Sequence, residues 1–199
     1  YVGLEFAVAS ILQSPNFLFR IEVGQDDINN PGNRIFSDYE MASRLSFFLW
    51  NTTPDAELLA AASNGELSTR EGLFSHASRL LESPRARDGI RNFFSEQLKL
   101  YELDHLSKDP TLFEHFSSEL GSDSTEETLR LLEHIVFDAE SDYRDIMDSP
   151  ETFVNPRLAA LYNIPAPKEG DFGLVTLDPS QGRTGLLGHA SFLNQFGHA

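Results

Sequence analysis

Six histidines are the residues of this chain best suited to acid/base chemistry or metal ligation: His76, His105, His115, His134, His189 and His198. Their spacing excludes one familiar use. No two sit four apart with a Glu between them as in H-E-x-x-H, the zinc motif of helical metalloproteases. Three of them follow an acidic neighbour directly, as Asp104-His105, Glu114-His115 and Glu133-His134. Adjacent residues on a helix point to different faces, so these read as surface pairs. His189 and His198 differ, because they fall in a Gly-rich tail, and His189 is the candidate cofactor ligand.

Oxygen ligands are concentrated in one loop. Asp26, Asp27, Asn29, Asn33 and Asp38 are the kind of donors a calcium loop uses, and Gly32 is sixth counting from Asp27. Pro31 at the fifth position and Asp38, not Glu, at the twelfth make a poor EF-hand, and an Asn/Asp/Gly/Pro turn also accounts for the composition. Asp26, Asp27, Asn29 and Asp38 are the candidate metal ligands. Nucleophile motifs are missing. Ser191 follows His189 by two, but no G-x-S-x-G elbow surrounds it. The glycines Gly182, Gly185 and Gly188 lack the spacing and the Lys of a phosphate loop. From Glu114 to Glu151 there are twelve acidic residues against two basic ones. Two of these carboxylates could serve glycoside chemistry only if held at a defined separation, and a solvated helix face is the simpler expectation. Arg44, Arg157 and Arg183 lie in apolar or Gly-rich surroundings, where arginines cover apolar surface and pair with carboxylates.

Composition narrows the classes further. The 199 residues carry 31 Asp and Glu against 15 Lys and Arg, a formal charge of −16. That balance argues against a nucleic-acid or anionic-membrane partner and suits a basic one. There is no Cys, so disulfides, thiolate metal sites and a covalently attached c-type haem are excluded within these residues. No run reaches the length of a membrane span. The chain opens inside an apolar-periodic stretch and stops without a terminating signal, as expected of a piece of a larger polypeptide.

The elements that must position these residues are helices. Leu4, Val8, Ile11 and Leu12 recur at helical spacing ahead of Pro15, and Gly24 to Asn33 reads as a polar loop. Ser37 with Glu40, Ser68 with Glu71 and Ser124 with Glu127 read as capping boxes. Thr53-Pro54, Ser83-Pro84, Asp109-Pro110 and Asn155-Pro156 read as N-cap and first-turn pairs. Asp109-Pro110 would open a helix through Phe113, Phe116 and Leu120. Gly65 suits a left-handed helix end. After Pro165 and Pro167 the pattern changes: Gly173 to Leu177 alternates like a short strand, and a short helix follows through Phe192 and Phe196. The expected fold is mainly α, a multi-helix bundle with a short irregular or β segment near the C-terminus. Trp50 and the five Tyr fall on apolar helix faces, which favours packing over a sugar-binding role.

Several stretches together resemble one family. Arg44-Leu-Ser-Phe-Phe-Leu-Trp-Asn51 with Pro54-Asp-Ala-Glu-Leu-Leu-Ala-Ala-Ala62 is similar to the signature of the bacterial domain of unknown function 1592. Leu80-Leu-Glu-Ser-Pro-Arg-Ala86, Phe93-Phe-Ser-Glu-Gln-Leu98, Thr152-Phe-Val-Asn-Pro-Arg-Leu-Ala159 and Tyr162-Asn-Ile-Pro165 continue it in order. Where the family often has Gly after that Tyr, this chain has Asn163, which also tolerates a left-handed turn. Ile11-Leu-Gln-Ser-Pro-Asn-Phe-Leu-Phe-Arg-Ile-Glu22 resembles the end of the domain that usually precedes, and Arg183-Thr-Gly-Leu-Leu-Gly-His-Ala-Ser-Phe-Leu193 the start of the one that follows.

The resemblance implies three segments: 1–34 ending a preceding helical part, 35–165 the helical bundle, and 166–199 opening a following domain. It implies a large periplasmic or extracellular bacterial protein, with c-type cytochrome modules elsewhere in the polypeptide. The function expected on that basis is support of electron transfer or docking of a haem domain. The partners are then other domains of the same polypeptide and a basic redox protein. No haem belongs to this segment, and calcium is the one cofactor the loop could hold. A carbohydrate- or protein-binding scaffold is the alternative, and an independent two-carboxylate hydrolase the third. The family brings no established catalytic residues to carry over.

Overall fold

The computed structural model describes residues 1–109, 111–167 and 171–197. The chain is mainly α, as its capping pattern predicts, and its contacts divide it into two compact units, 1–83 and 84–199.

The first unit begins with α1 (Val2–Leu12), which contributes no buried residue, and the single turn α2 (Pro15–Leu18). The polar loop that follows is closed by a small hairpin. β1 (Gln25–Asp26) pairs antiparallel with β2 (Arg34–Ile35). Helix α3 (Asp38–Trp50) starts at the expected capping box: Ser37 accepts from the Glu40 amide, and the Glu40 carboxylate accepts from the Ser37 amide at 2.7 Å. Glu40 also accepts from the Gly24 amide, and these bonds hold its pKa down to about 2. Helices α4 (Ala56–Ser63) and α5 (Arg70–Glu82) complete the unit. Its core gathers Ala42, Trp50, Leu58, Ala61, Leu67 and Leu80. The Trp50 indole donates to the Leu80 carbonyl at 2.8 Å, which satisfies its one polar atom inside the core.

Several caps differ from expectation: beyond this unit, the helix after Ser83-Pro84 has Pro84 itself at its N-cap, with Ser83 closing α5; within it, two N-caps shift. The N-cap of α4 is Asp55, not Thr53: its carboxylate accepts from the Leu58 amide and also receives Arg79 at 2.8 Å, two uses that a threonine hydroxyl could not combine. The N-cap of α5 is Thr69, not Ser68. A 3-10 turn, Glu66–Ser68, follows the left-handed Gly65, and the Ser68 hydroxyl is spent on the Gly65 carbonyl.

The second unit is built around α7 (Leu120–Glu133), which follows α6 (Arg85–Gln97). The helix expected from Asp109 does not form: residues 111 to 119 are turns and irregular chain, and α7 begins at Leu120. Ser124 and Glu127 therefore lie inside the helix instead of at its start, so they form no capping box. The Ser124 hydroxyl bonds back to the Leu120 carbonyl, four residues earlier. Helix α7 runs on into a π-helical turn, His134–Asp138. Strand β3 (Glu151–Val154) packs on α7 and pairs antiparallel with β4 (Gly173–Thr176), in the register Thr152↔Val175 and Val154↔Gly173. Alternation along β3 turns Thr152 and Val154 inward. Helix α8 (Pro156–Tyr162) is capped by Asn155, which accepts from the Leu158 amide, and ends at the left-handed Asn163, as expected. The tail forms α9 (Gly185–Gly188) and α10 (Ala190–Phe196). It packs back on α7, with Ala190 in one cluster with Leu120, Leu158 and Tyr162, and Leu186 in another with Leu131, Leu132 and Ile146. Among the described residues no helix is long and apolar enough to cross a membrane.

Candidate functional site

Positions 124, 127, 128 and 131 share one face of α7, since residues three and four apart are helix neighbours. In an amphipathic helix that face would be apolar. Here it presents Ser124, Glu127, Thr128 and Leu131, all fully buried. Three of these four carry polar groups, so the unit must supply partners from every element packed against them. It does so from β3, α8 and the tail.

Glu127 is the centre. Its Oε1 accepts from the Thr152 hydroxyl at 2.8 Å, and the Tyr162 hydroxyl lies 2.7 Å from both carboxylate oxygens. The Tyr162 oxygen in turn accepts the Ala190 amide at 2.7 Å, which ties α10 to the carboxylate through one phenol. Burial pushes the Glu127 pKa up to about 7, against the opposing pull of the Tyr162 and Thr152 bonds. Burial and the adjacent Glu127 charge push the Tyr162 phenol up from its ordinary value. Arg183 stacks over the Tyr162 ring at 4.7 Å and donates to the Gly188 carbonyl at 2.9 Å.

One residue along, Thr128 holds the second half of the network. Its hydroxyl lies 3.0 Å from His189 Nδ1 and 2.7 Å from Ser191 Oγ. A single hydroxyl proton can serve only one of them, so the order of donors runs either from Ser191 toward His189 or the reverse. Burial pushes the His189 pKa down to about 4, so the imidazole is neutral near pH 7. Its Nε2 is enclosed and has no hydrogen-bond partner among the described residues. Ser191 is 1% exposed and borders a cleft of about 230 Å³ with Leu98, Lys99, Phe192 and Gln195. The arrangement can pass a proton between Ser191 and His189 through Thr128. Because Ser191 touches Thr128 and not the imidazole, it is not a serine with its base alongside.

The structure thus brings His189 and Ser191 together on α7, and gives His189 a buried position in the tail. His198 lies outside the described residues. His76 lies 3.3 Å from Glu66, and His134 lies 3.5 Å from Asp138. The oxygen-rich loop is organised by its own bonds. Asp27 accepts from the Asn29 amide and the Asn30 side chain, each at 2.8 Å, and Asp26 pairs with Arg34 at 3.1 Å. Asp38 starts α3. No group of three or more metal-ligating His, Asp or Glu side chains is gathered there or elsewhere among the described residues. The three arginines act as expected. Arg44 pairs with Glu22 and stacks on Phe36, Arg157 makes a two-point contact with Asp123, and Arg183 covers Tyr162.

Glu127 is a buried mid-helix residue and not a capping residue, and Thr128 and Thr152, which match no catalytic or ligand motif in the sequence, complete its surroundings. The acidic run does not form one solvated face, since Asp123 and Glu127 within it are buried. The usable signal was spacing. Ser124, Glu127 and Thr128 fall on the same stripe as Leu131, so a polar stripe continues an apolar one.

The family profile described as Protein of unknown function (DUF1592), PSD4, matches residues 36–164. The chain belongs to that family. The match takes in α3 to α8, and with them Glu127, Thr128, Thr152 and Tyr162, while His189 and Ser191 lie beyond it. No curated protein and no solved structure shows significant similarity to the chain.

Proposed function

We propose that this chain is a non-catalytic helical module of a larger, exported, cytochrome c-associated bacterial protein, and that it docks a haem domain of that assembly. One observation carries the reading: reactive side chains and free charge are segregated. Glu127, Tyr162, His189 and Ser191 are all at most 4% exposed and engage one another or Thr128, so they serve to hold the tail on α7. The formal charge of −16 is meanwhile displayed mainly by exposed carboxylates. A surface of that sign raises the encounter rate with a basic partner and opposes acidic ones.

The family resemblance supports the choice of a haem domain as that partner. The test is the visible absorption spectrum of the native full-length protein, joined to a titration of the chain with a basic c-type cytochrome. A Soret band, with binding that weakens as salt rises, is the expected result. Native protein without a Soret band, or a chain that ignores the cytochrome at low salt, overturns it. The carbohydrate reading is weakened by Trp50, which is buried and hydrogen-bonded to Leu80 and so is not free to stack on a sugar.

A further inference from the structure

The turn after α7 interleaves two kinds of residue. Tyr143, Ile146 and Met147 line a cleft of about 290 Å³ whose remaining walls include Phe94 of α6, Leu98 just after it and Leu132 of α7. Asp142, Asp145 and Asp148 alternate with them, and Glu140 precedes them. Apolar side chains are left in water here: Tyr143 is 54% and Met147 51% exposed. The rings of Phe93, Phe94 and Tyr143 form a chain of contacts beside the cleft, with centroids 5.1 and 6.2 Å apart.

Charge at this rim is negative and largely uncompensated. Among the described residues the one cation in the lining, Arg144, is held by Asp142 through Nε at 2.9 Å and Nη2 at 2.5 Å. Asp138 is occupied by Arg87. Glu140, Asp145 and Asp148 are exposed and form no ion pair among the described residues. The turn is also fixed at both ends. The Ser141 amide donates to the Ile135 carbonyl at 2.8 Å, and the Gly185 amide to the Ser149 carbonyl at 2.8 Å. The face is therefore presented in one arrangement.

We infer that this face is a docking surface for a basic protein domain whose contact face carries lysines around an exposed apolar group. The inference rests on the docking reading above and gives it a place. An apolar centre inside a polar, charged rim is the anatomy of a transient protein interface. Charge selects the occupant. A second copy of this chain would bring its own excess of 16 negative charges against the same rim, and nucleic acid would bring phosphates. Lysines placed against Glu140, Asp145 and Asp148 meet exposed carboxylates that are not held in an ion pair among the described residues, although Arg144 lies electrostatically close to Asp145. The apolar group beside them covers Tyr143 and Met147.

The test uses the whole chain and a strongly basic c-type cytochrome as probe, with affinity measured by calorimetry at low and at physiological ionic strength. A triple variant, Glu140→Gln, Asp145→Asn and Asp148→Asn, neutralises the rim. A control, Glu5→Gln, Glu71→Gln and Glu82→Gln, removes the same charge from exposed positions of the first unit. The rim variant is expected to weaken binding by about tenfold or more and flatten its salt dependence, while the control changes it by about twofold or less. Met147→Ser is expected to weaken binding while leaving the salt dependence intact. Circular dichroism establishes that each variant is folded. Equal effects of the two triple variants overturn the placement and leave the docking reading standing. Absence of wild-type binding at low salt overturns both.

Discussion

Two buried titrations in the second unit, one on α7 and one in the tail packed against it, oppose one another, and separating them tests the network directly. Glu127 is raised from 4.5 to about 7, so between those values the folded state keeps a proton that the unfolded state has lost. Stability from this group is present below pH 4.5 and is lost as the pH rises through about 7. The difference corresponds to about 3 kcal/mol, and the full burial of the side chain leaves little solvent screening. His189 moves the other way, from 6.5 down to about 4. The unfolded state binds its proton first, so stability from this group is present above pH 6.5 and is lost as the pH falls through about 4. That difference is also about 3 kcal/mol. In the wild type the two slopes overlap and largely cancel from about pH 4.5 to 6.5. Glu127→Gln keeps an acceptor for Thr152 and removes the falling limb, so its stability is expected to rise with pH up to about 6.5. His189→Gln removes the rising limb, so its stability is expected to fall toward pH 7. The hydrogen-bonded carboxylates with lowered pKa values, such as Glu40 and Asp142 at about 2, act mostly below this window. Urea unfolding of the three proteins from pH 4 to 8 measures the slopes. A difference between wild type and Glu127→Gln that stays flat across pH 4.5 to 7 would falsify the assignment of a buried, proton-holding Glu127.

Three structural predictions follow from single contacts. Tyr162→Phe deletes the donor to Glu127 and the acceptor of the Ala190 amide, and is expected to cost about 2–4 kcal/mol by urea unfolding and to speed hydrogen exchange at Ala190. Asn155→Ala removes a buried N-cap and should cost about 1–2 kcal/mol, whereas Asn155→Asp, which keeps the acceptor, should cost less. Gly185 has φ +60°, and a Cβ there would lie 2.0 Å from the Met147 carbonyl oxygen, so Gly185→Ala should displace the tail from the turn at Met147. Its signature is a lowered melting temperature with increased proteolysis near residue 185, and a variant as stable as wild type would count against that close approach.

The helices with strong local signals could be read without the structure. Ser37 and Glu40 satisfy each other's backbone groups within one turn, and the Asn155 side-chain cap with Pro156 and the left-handed Asn163 bracket seven residues by local chemistry. Such caps depend on residues a few positions apart, and the sequence displays that distance directly. The mainly α class follows from the same local signals. Where two neighbouring residues could cap, longer contacts decided: Asp55 prevailed over Thr53 because Arg79, 24 residues on, reaches it. The burial of Glu127 was not legible, because its reasons are Thr152, Tyr162 and Ala190, brought from 25 to 63 residues away. By itself Ser124-x-x-Glu127 is indistinguishable from a capping box, and only the packing of β3, α8 and the tail on α7 converts it into a core. The sequence by itself determined the charge, the absence of cysteine and where most helices begin and end. Tertiary structure decided which carboxylates leave water, since removing a charge from solvent is tolerated only where distant donors converge on it.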